Sequence, residues 1–203
     1  TWTDVFKLDI SSRISLSNND SGNTANTIFG SQAWNNSSNN ASDYNTIFGH
    51  GVMGTGAVAG AQYNVGVGYL ALEDVTTGSY NVVLGANTGL ALTDGEQNVI
   101  VGQNCGTTTT SGTNMVIIGR NAGRAIITAA ATGSVLVGYN SGAALTSGEG
   151  NVAIGYQSLD AAVTSGYNTA VGHQSLSAVT ADGSAHNTAL GYQAGLAIAA
   201  GTH

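Results

Sequence analysis

Proline is absent from the 203 residues, cysteine occurs once, and only four side chains are Lys or Arg. Eleven acidic residues leave a formal charge of −7 and a pI near 4.6. Charged residues make up 7% of the chain, where about 25% is usual. Each scarcity excludes something. Lys7, Arg13, Arg120 and Arg124 are too few to neutralise a phosphate backbone, so nucleic acid is not the partner. Collagen needs proline. A lone Cys105 permits no intrachain disulfide and leaves the compartment open. No apolar run reaches the length of a membrane-spanning helix. With 42% hydrophobic residues, the composition also argues against disorder.

What the chain has in abundance is glycine, at 30 positions, roughly twice the usual share of about 7%. Ten of these glycines mark a repeat: Gly30, Gly49, Gly68, Gly85, Gly102, Gly119, Gly138, Gly155, Gly172 and Gly191, spaced by 17 or 19 residues. Let each be position 0 of its unit. At position −4 stands asparagine in eight units, among them Asn81, Asn98, Asn151, Asn168 and Asn187; Met115 and Ser134 depart. Position −3 is always Val or Thr, and position −1 always apolar, from Phe29 to Leu190. β-Branched residues fit a pleated surface, so positions −3 to −1 predict a short strand in every unit. The residues after the glycine continue the register: Tyr, His or another residue at +1, an amide in eight units at +2, and a small residue at +3.

A unit this short buries no core alone, so neighbours must stack. The expected fold is all-β: a β-solenoid or β-roll of ten coils of 17–19 residues, rising about 4.8 Å apiece. Residues 1–23 read as an N-terminal strand or connector, and 24–203 as the repeat domain. The absence of a basic leader followed by an apolar stretch and a cleavage site suggests a piece of a longer protein. Hexapeptide and leucine-rich solenoids fail on their own periods: six beyond Ile154 is Asp160, and the multi-leucine consensus is missing.

Position −2 carries a further expectation. Ile28, Ile47, Gly66, Val83, Ile100, Ile117, Leu136, Ala153, Ala170 and Ala189 are all apolar or glycine, yet this side chain points opposite to its two neighbours. With positions −3 and −1 lining the core, position −2 should face outward, where a lone solenoid would place polar groups. Both strand faces therefore read as buried, the outer one against another copy of the chain. The glycine reads as a sharp bend or a close backbone approach, and the stacked asparagines as amide ladders.

The stretches Asn151-Val152-Ala153-Ile154-Gly155-Tyr156-Gln157-Ser158-Leu159 and Asn168-Thr169-Ala170-Val171-Gly172-His173-Gln174-Ser175-Leu176 resemble the repeats of bacteriophage tail fibres. They are also similar to the head repeats of trimeric autotransporter adhesins. The resemblance covers residues 24 to 195 and implies an elongated homotrimer on a virion tail or a bacterial surface, with host-surface attachment as its role. The unit is longer than an autotransporter head repeat, which favours the fibre.

Chemistry-bearing residues are sparse. His50 and His173 share the +1 column with tyrosines; His186 and His203 stand elsewhere, and no pair has metal-ligand spacing. Cys105 falls in the small-residue column with no activating partner. Serines form no nucleophile elbow. Glu73 with Asp74, or Asp94 with Glu96, are the carboxylates a polysaccharide-degrading tailspike would draw on, but all four read as solvated turn residues. No catalytic residue, metal or cofactor is expected. Trp34, Tyr69, Tyr139, Tyr156 and Tyr192 are the receptor-binding candidates: rings that stack on sugars, or that pack between chains. Trp34 reads as a binding residue in the irregular stretch Ser31 to Asp43, or as a plug near Phe29 and Phe48. His50 to Tyr63 is the other irregular stretch where recognition is expected.

Overall fold

A computed structural model describes residues 12–15, 25–34, 42–55, 58–126, 131–180 and 186–198. The first strand, β1 (Ser12–Ser15), pairs antiparallel with β2 (Thr27–Ser31). Nine more strands follow: β3 (Thr46–Phe48), β4 (Val65–Val67), β5 (Val82–Leu84), β6 (Val99–Val101), β7 (Val116–Ile118), β8 (Val135–Val137), β9 (Val152–Ile154), β10 (Thr169–Val171) and β11 (Thr188–Leu190). From β2 onward every strand pairs in parallel with the next, in chain order and with equivalent positions opposite one another: Val99 on Val116, Ile100 on Ile117, Val101 on Ile118. The expected solenoid is present, one strand per coil. Residues 1–11 and 16–24 of the connector lie outside the described residues.

The strand faces are the reverse of the expectation. Position −2 is buried in all ten coils, as at Ile47, Ile100 and Leu136, while positions −3 and −1 are half-buried or exposed. The interior of the coil is thus lined by position −2, and the β-branched flanks face out. Alternation requires opposite faces but does not say which one is inside. The asparagine decides it, because −4 and −2 have the same parity and point the same way.

That asparagine is buried in each of the eight coils that carry it, and its side-chain amide bonds to a neighbouring coil in every one. Asn81 Oδ1 accepts from the backbone N–H of Asn98 at 3.0 Å and from its Nδ2 at 3.0 Å, while Asn98 Nδ2 also donates to the Gly112 carbonyl at 2.7 Å. The pattern repeats from Asn26 to Asn98 and from Asn151 to Asn187. A buried polar group needs such partners, since leaving one unpaired costs about 1–3 kcal/mol. The expected ladder is present, and it ties turn carbonyls to the strand.

The backbone turns on left-handed residues. Every described non-glycine residue with positive φ occupies position −5, +2 or +4. The asparagines at +2 follow from this, because Asn tolerates that region better than most side chains. Among the glutamines there, Gln174 Nε2 bonds across to the neighbouring coil, donating to Gln157 Oε1 at 3.1 Å. The glycine at position 0 is a separate case, with φ between 123° and 143°, where only glycine is at ease. A Cβ on Gly102 would also lie 2.7 Å from the Gly119 carbonyl oxygen. Bend and close approach coincide at one residue.

Two interior columns complete the core. Position +7 buries Val75, Leu92, Ile126, Leu145 and Val179, and position +4 buries Leu72, Leu159 and Leu176. Each such side chain contributes roughly 1.5–3 kcal/mol by leaving water.

Candidate functional site

The outward side of the strands is the site that this fold builds. Positions −3 and −1 form two parallel rows along the rod. The first is Thr27, Thr46, six valines from Val65 to Val152, Thr169 and Thr188; the second runs Phe29, Phe48, Val67, Leu84, Val101, Ile118, Val137, Ile154, Val171 and Leu190. Phe29, Phe48, Ile118, Ile154 and Leu190 are all exposed. Neither row contains a charge. An apolar surface of this extent left open to solvent is unusual for a solitary soluble chain.

A rim flanks the rows on each side. At position +1 His50 stacks on Tyr69, with centroids 5.4 Å apart. Tyr139, Tyr156, His173 and Tyr192 form a second run, at 5.2, 4.9 and 5.3 Å. Arg120 lies over Tyr139, 5.9 Å from its centroid. The rim at position −5 was not anticipated. Tyr44, Tyr63 and Tyr80 stack at 4.8 and 4.9 Å, and Tyr167 stacks on His186 at 5.3 Å. Its signal was in the sequence: the residue before the repeat asparagine is Tyr in four coils. Strand spacing of about 4.8 Å sets all these distances, so stacking is a consequence of the coil rise.

Four of the five ring candidates lie on the +1 rim, and they are not equivalent. Tyr139 is covered by Arg120 and Tyr156, and Tyr156 by Tyr139 and His173. Tyr69 stacks on a ring only on its His50 side, because Ala86 follows it in the column. Tyr192 ends its run at 72% exposed. Rings with an unstacked face can take a sugar; rings inside a ladder cannot without disrupting it.

Trp34 differs from the binding reading. It is fully buried, and among the described residues its indole Nε1 has no hydrogen-bond partner. It also belongs to the repeat, at position +4 of the first coil, in the column of Leu72 and Leu159. Counting four residues past Gly30 would have identified it as core. Residues 35–41 and 56–57, within the two irregular stretches expected to recognise a receptor, lie outside the described residues.

The remaining chemistry is subdued. Cys105 is buried, and burial pushes its thiol up to about 12, so it is no nucleophile near neutrality. Glu73 is raised by burial and by the neighbouring Asp74 carboxylate. Asp160 is raised by burial, with a buried oxygen that has no partner among the described residues. Its column neighbours are Ala143 and Ser177, so no second carboxyl accompanies it there. The described residues include no group of three or more potential metal ligands. No family model, curated protein or solved structure matches the chain, so the site is interpreted from its own geometry.

Proposed function

We propose that the chain is a structural segment of a bacteriophage tail fibre, assembled as an elongated homotrimer that carries loops for host-surface attachment. One observation carries the reading: the rows Thr27–Thr188 and Phe29–Leu190 leave an uncharged, largely apolar strip half-buried or exposed along the whole described rod. Water is a poor neighbour for that strip, and a second and third copy are the simplest cover. The role is structural and non-enzymatic. A glycan-cleaving site needs two carboxyls at roughly 5–9.5 Å flanking a bond, and no repeat column carries Asp or Glu in two adjacent coils. The head of a trimeric autotransporter adhesin would use the same strip. The unit length of 17–19 residues supports the fibre over it.

Light scattering on the purified chain tests the assembly. The expected mass is about three times 20.2 kDa; a monomer stable at micromolar concentration overturns the reading. Tyr69→Ala and Tyr192→Ala separate the two roles open to the rim rings. Reduced binding to host cells at unchanged trimer mass and melting temperature assigns them to recognition, whereas loss of trimer mass assigns them to packing between chains.

A further inference from the structure

We infer that the copies meet rim to rim and in register, the −5 rim of one chain packing against the +1 rim of the next. The inference rests on the homotrimer reading and specifies its geometry. A rotation about an axis parallel to the rod and facing the strip keeps every coil at its own height. It turns the side of one copy that carries position −5 toward the side of its neighbour that carries position +1. The contact is therefore heterologous and closes into a ring.

The two rims match coil by coil. In the second and third coils Tyr44 faces His50 and Tyr63 faces Tyr69, ring against ring. In the fourth, Tyr80 faces Ala86, large against small. In the fifth, Gln97 faces Gln103, and in the sixth Asn114 faces Arg120, both pairs able to hydrogen-bond. In the seventh and eighth, Gly133 and Gly150 leave room for Tyr139 and Tyr156. In the ninth and tenth, Tyr167 faces His173 and His186 faces Tyr192. No height brings two bulky charged groups together, and Arg120 is the only Lys, Arg, Asp or Glu on either rim or the rows between them. Area agrees: ten coils at about 4.8 Å, with six residue steps of about 3.3 Å from rim to rim, present a face on the order of 900 Å². A ring shares that face between two neighbours, so each chain withdraws in total about the 800 Å² that one partner of a stable interface buries.

Cysteine pairs placed at the fifth coil test the register. Gln97 and Gln103 are exposed and lie six residue steps apart in one chain, about 20 Å in extended backbone, beyond the span of a disulfide. Cys105 is buried and its thiol protonated, so it does not compete. Under mild oxidation the double variant Gln97→Cys with Gln103→Cys should give covalent dimers and trimers on a non-reducing gel. Either single variant should stay at one chain length. An antiparallel pairing would instead set the −5 rim of the fifth coil against that of the sixth. Gln97→Cys and Asn114→Cys carried on separate chains and refolded together would then cross-link, which overturns the inference while leaving self-association intact. In one chain the two lie about 4.8 Å apart on adjacent coils and would close internally. An oligomer by light scattering that cross-links in neither pair also overturns it. A monomer by light scattering removes the trimer reading itself, so the two failures are told apart.

Discussion

The middle coils and those nearer the C-terminal end fill the same cross-section in opposite ways. In coils four to seven position −2 is large, Val83, Ile100, Ile117 and Leu136, and position +4 is glycine, Gly89, Gly106, Gly123 and Gly142. In coils eight and nine the bulk has moved: Ala153 and Ala170 stand at −2, Leu159 and Leu176 at +4, and the third coil has the same form with Gly66 and Leu72. Contacts explain the exchange. A Cβ on Gly142 would lie 2.9 Å from Leu136 Cδ2, and one on Gly89 3.4 Å from Val83 Cγ1. Both positions point into one volume, and close packing admits one large side chain there. Coils one and two hold both, Ile28 with Trp34 and Ile47 with Met53, and each contains 19 residues where coils three to five contain 17.

The exchange can be broken and then repaired. Leu159→Gly should leave a cavity flanked by Ala153 and cost about 3–5 kcal/mol. Ala153→Ile alone, with Leu159 still in place, should overpack the coil at about 1–3 kcal/mol. Together they recreate the arrangement of the middle coils, and the double variant should recover most of the lost stability. Denaturant unfolding of all four proteins measures the coupling. If the double variant is as unstable as the sum of the singles, the two positions do not share a volume.

A second difference separates the middle from both ends. From Asn26 to Asn98, and again from Asn151 to Asn187, each coil accepts from the next through an asparagine. The chain of side-chain acceptors stops at Met115, whose N–H donates to Asn98 Oδ1 but whose side chain has no oxygen to offer the next coil. Ser134 resumes it weakly, its Oγ accepting from the Asn151 N–H at 3.2 Å. Asn168→Ala should therefore cost about 2–4 kcal/mol, since it strips acceptors from Asn187 and partners from Asn151 and a turn carbonyl. Ser134→Ala should cost about 1 kcal/mol. Equal losses would mean that the ladder is not what distinguishes the two regions.

Much of this was legible in residues and some was not. The glycine spacing, the strand at −3 to −1 and the asparagine column gave the solenoid and its ladder directly, because backbone pairing forces equivalent positions to stack. The choice of strand face is not legible from residue type, because Val and Thr at −3 look as apolar as Ile and Ala at −2; only the parity of Asn98 with Ile100 separates them. For Trp34 residue type leaves a binding loop and a core plug both open, because Phe, Trp and Ser/Asn clusters disguise the first coil; its place at +4 and its burial decide for the plug. The −5 rim was hidden because Tyr44, Tyr63 and Tyr80 adopt a left-handed backbone, which residue type alone does not signal.

Rings at the rims should matter less than either core difference. Tyr156 is exposed and stacked between Tyr139 and His173, and an aromatic contact contributes about 0.5–1.5 kcal/mol beyond its area. Tyr156→Ala should cost about 1 kcal/mol, read as a shift of the unfolding midpoint. Gln103→Ala, in a coil without rim rings, should be close to neutral. Equal midpoints for the two variants would mean that the ladder is a passive result of the coil rise.

The smallest effect concerns position +5, where the seventh coil has Ala143 and the eighth Asp160. Burial raises the Asp160 carboxyl from 3.8, and one of its oxygens has no partner among the described residues. The folded chain therefore favours the neutral acid, while the unfolded chain releases the proton near the ordinary value. The acid's contribution to stability is greatest below 3.8 and is lost as pH rises through the raised folded value. At neutral pH the carboxylate is a small liability in the eighth coil that Ala143 spares the seventh. Asp160→Asn keeps the shape, and Ala144 still donates to the backbone carbonyl at 3.1 Å. The variant should melt about 1 °C higher at pH 7, since roughly 2–4 °C accompany each kcal/mol in a chain of this size. Below pH 3.5 the advantage should vanish, because both proteins are then neutral at this position. Thermal melts across pH 3 to 7 measure it, and an advantage that grows toward low pH would reverse the sign argued here.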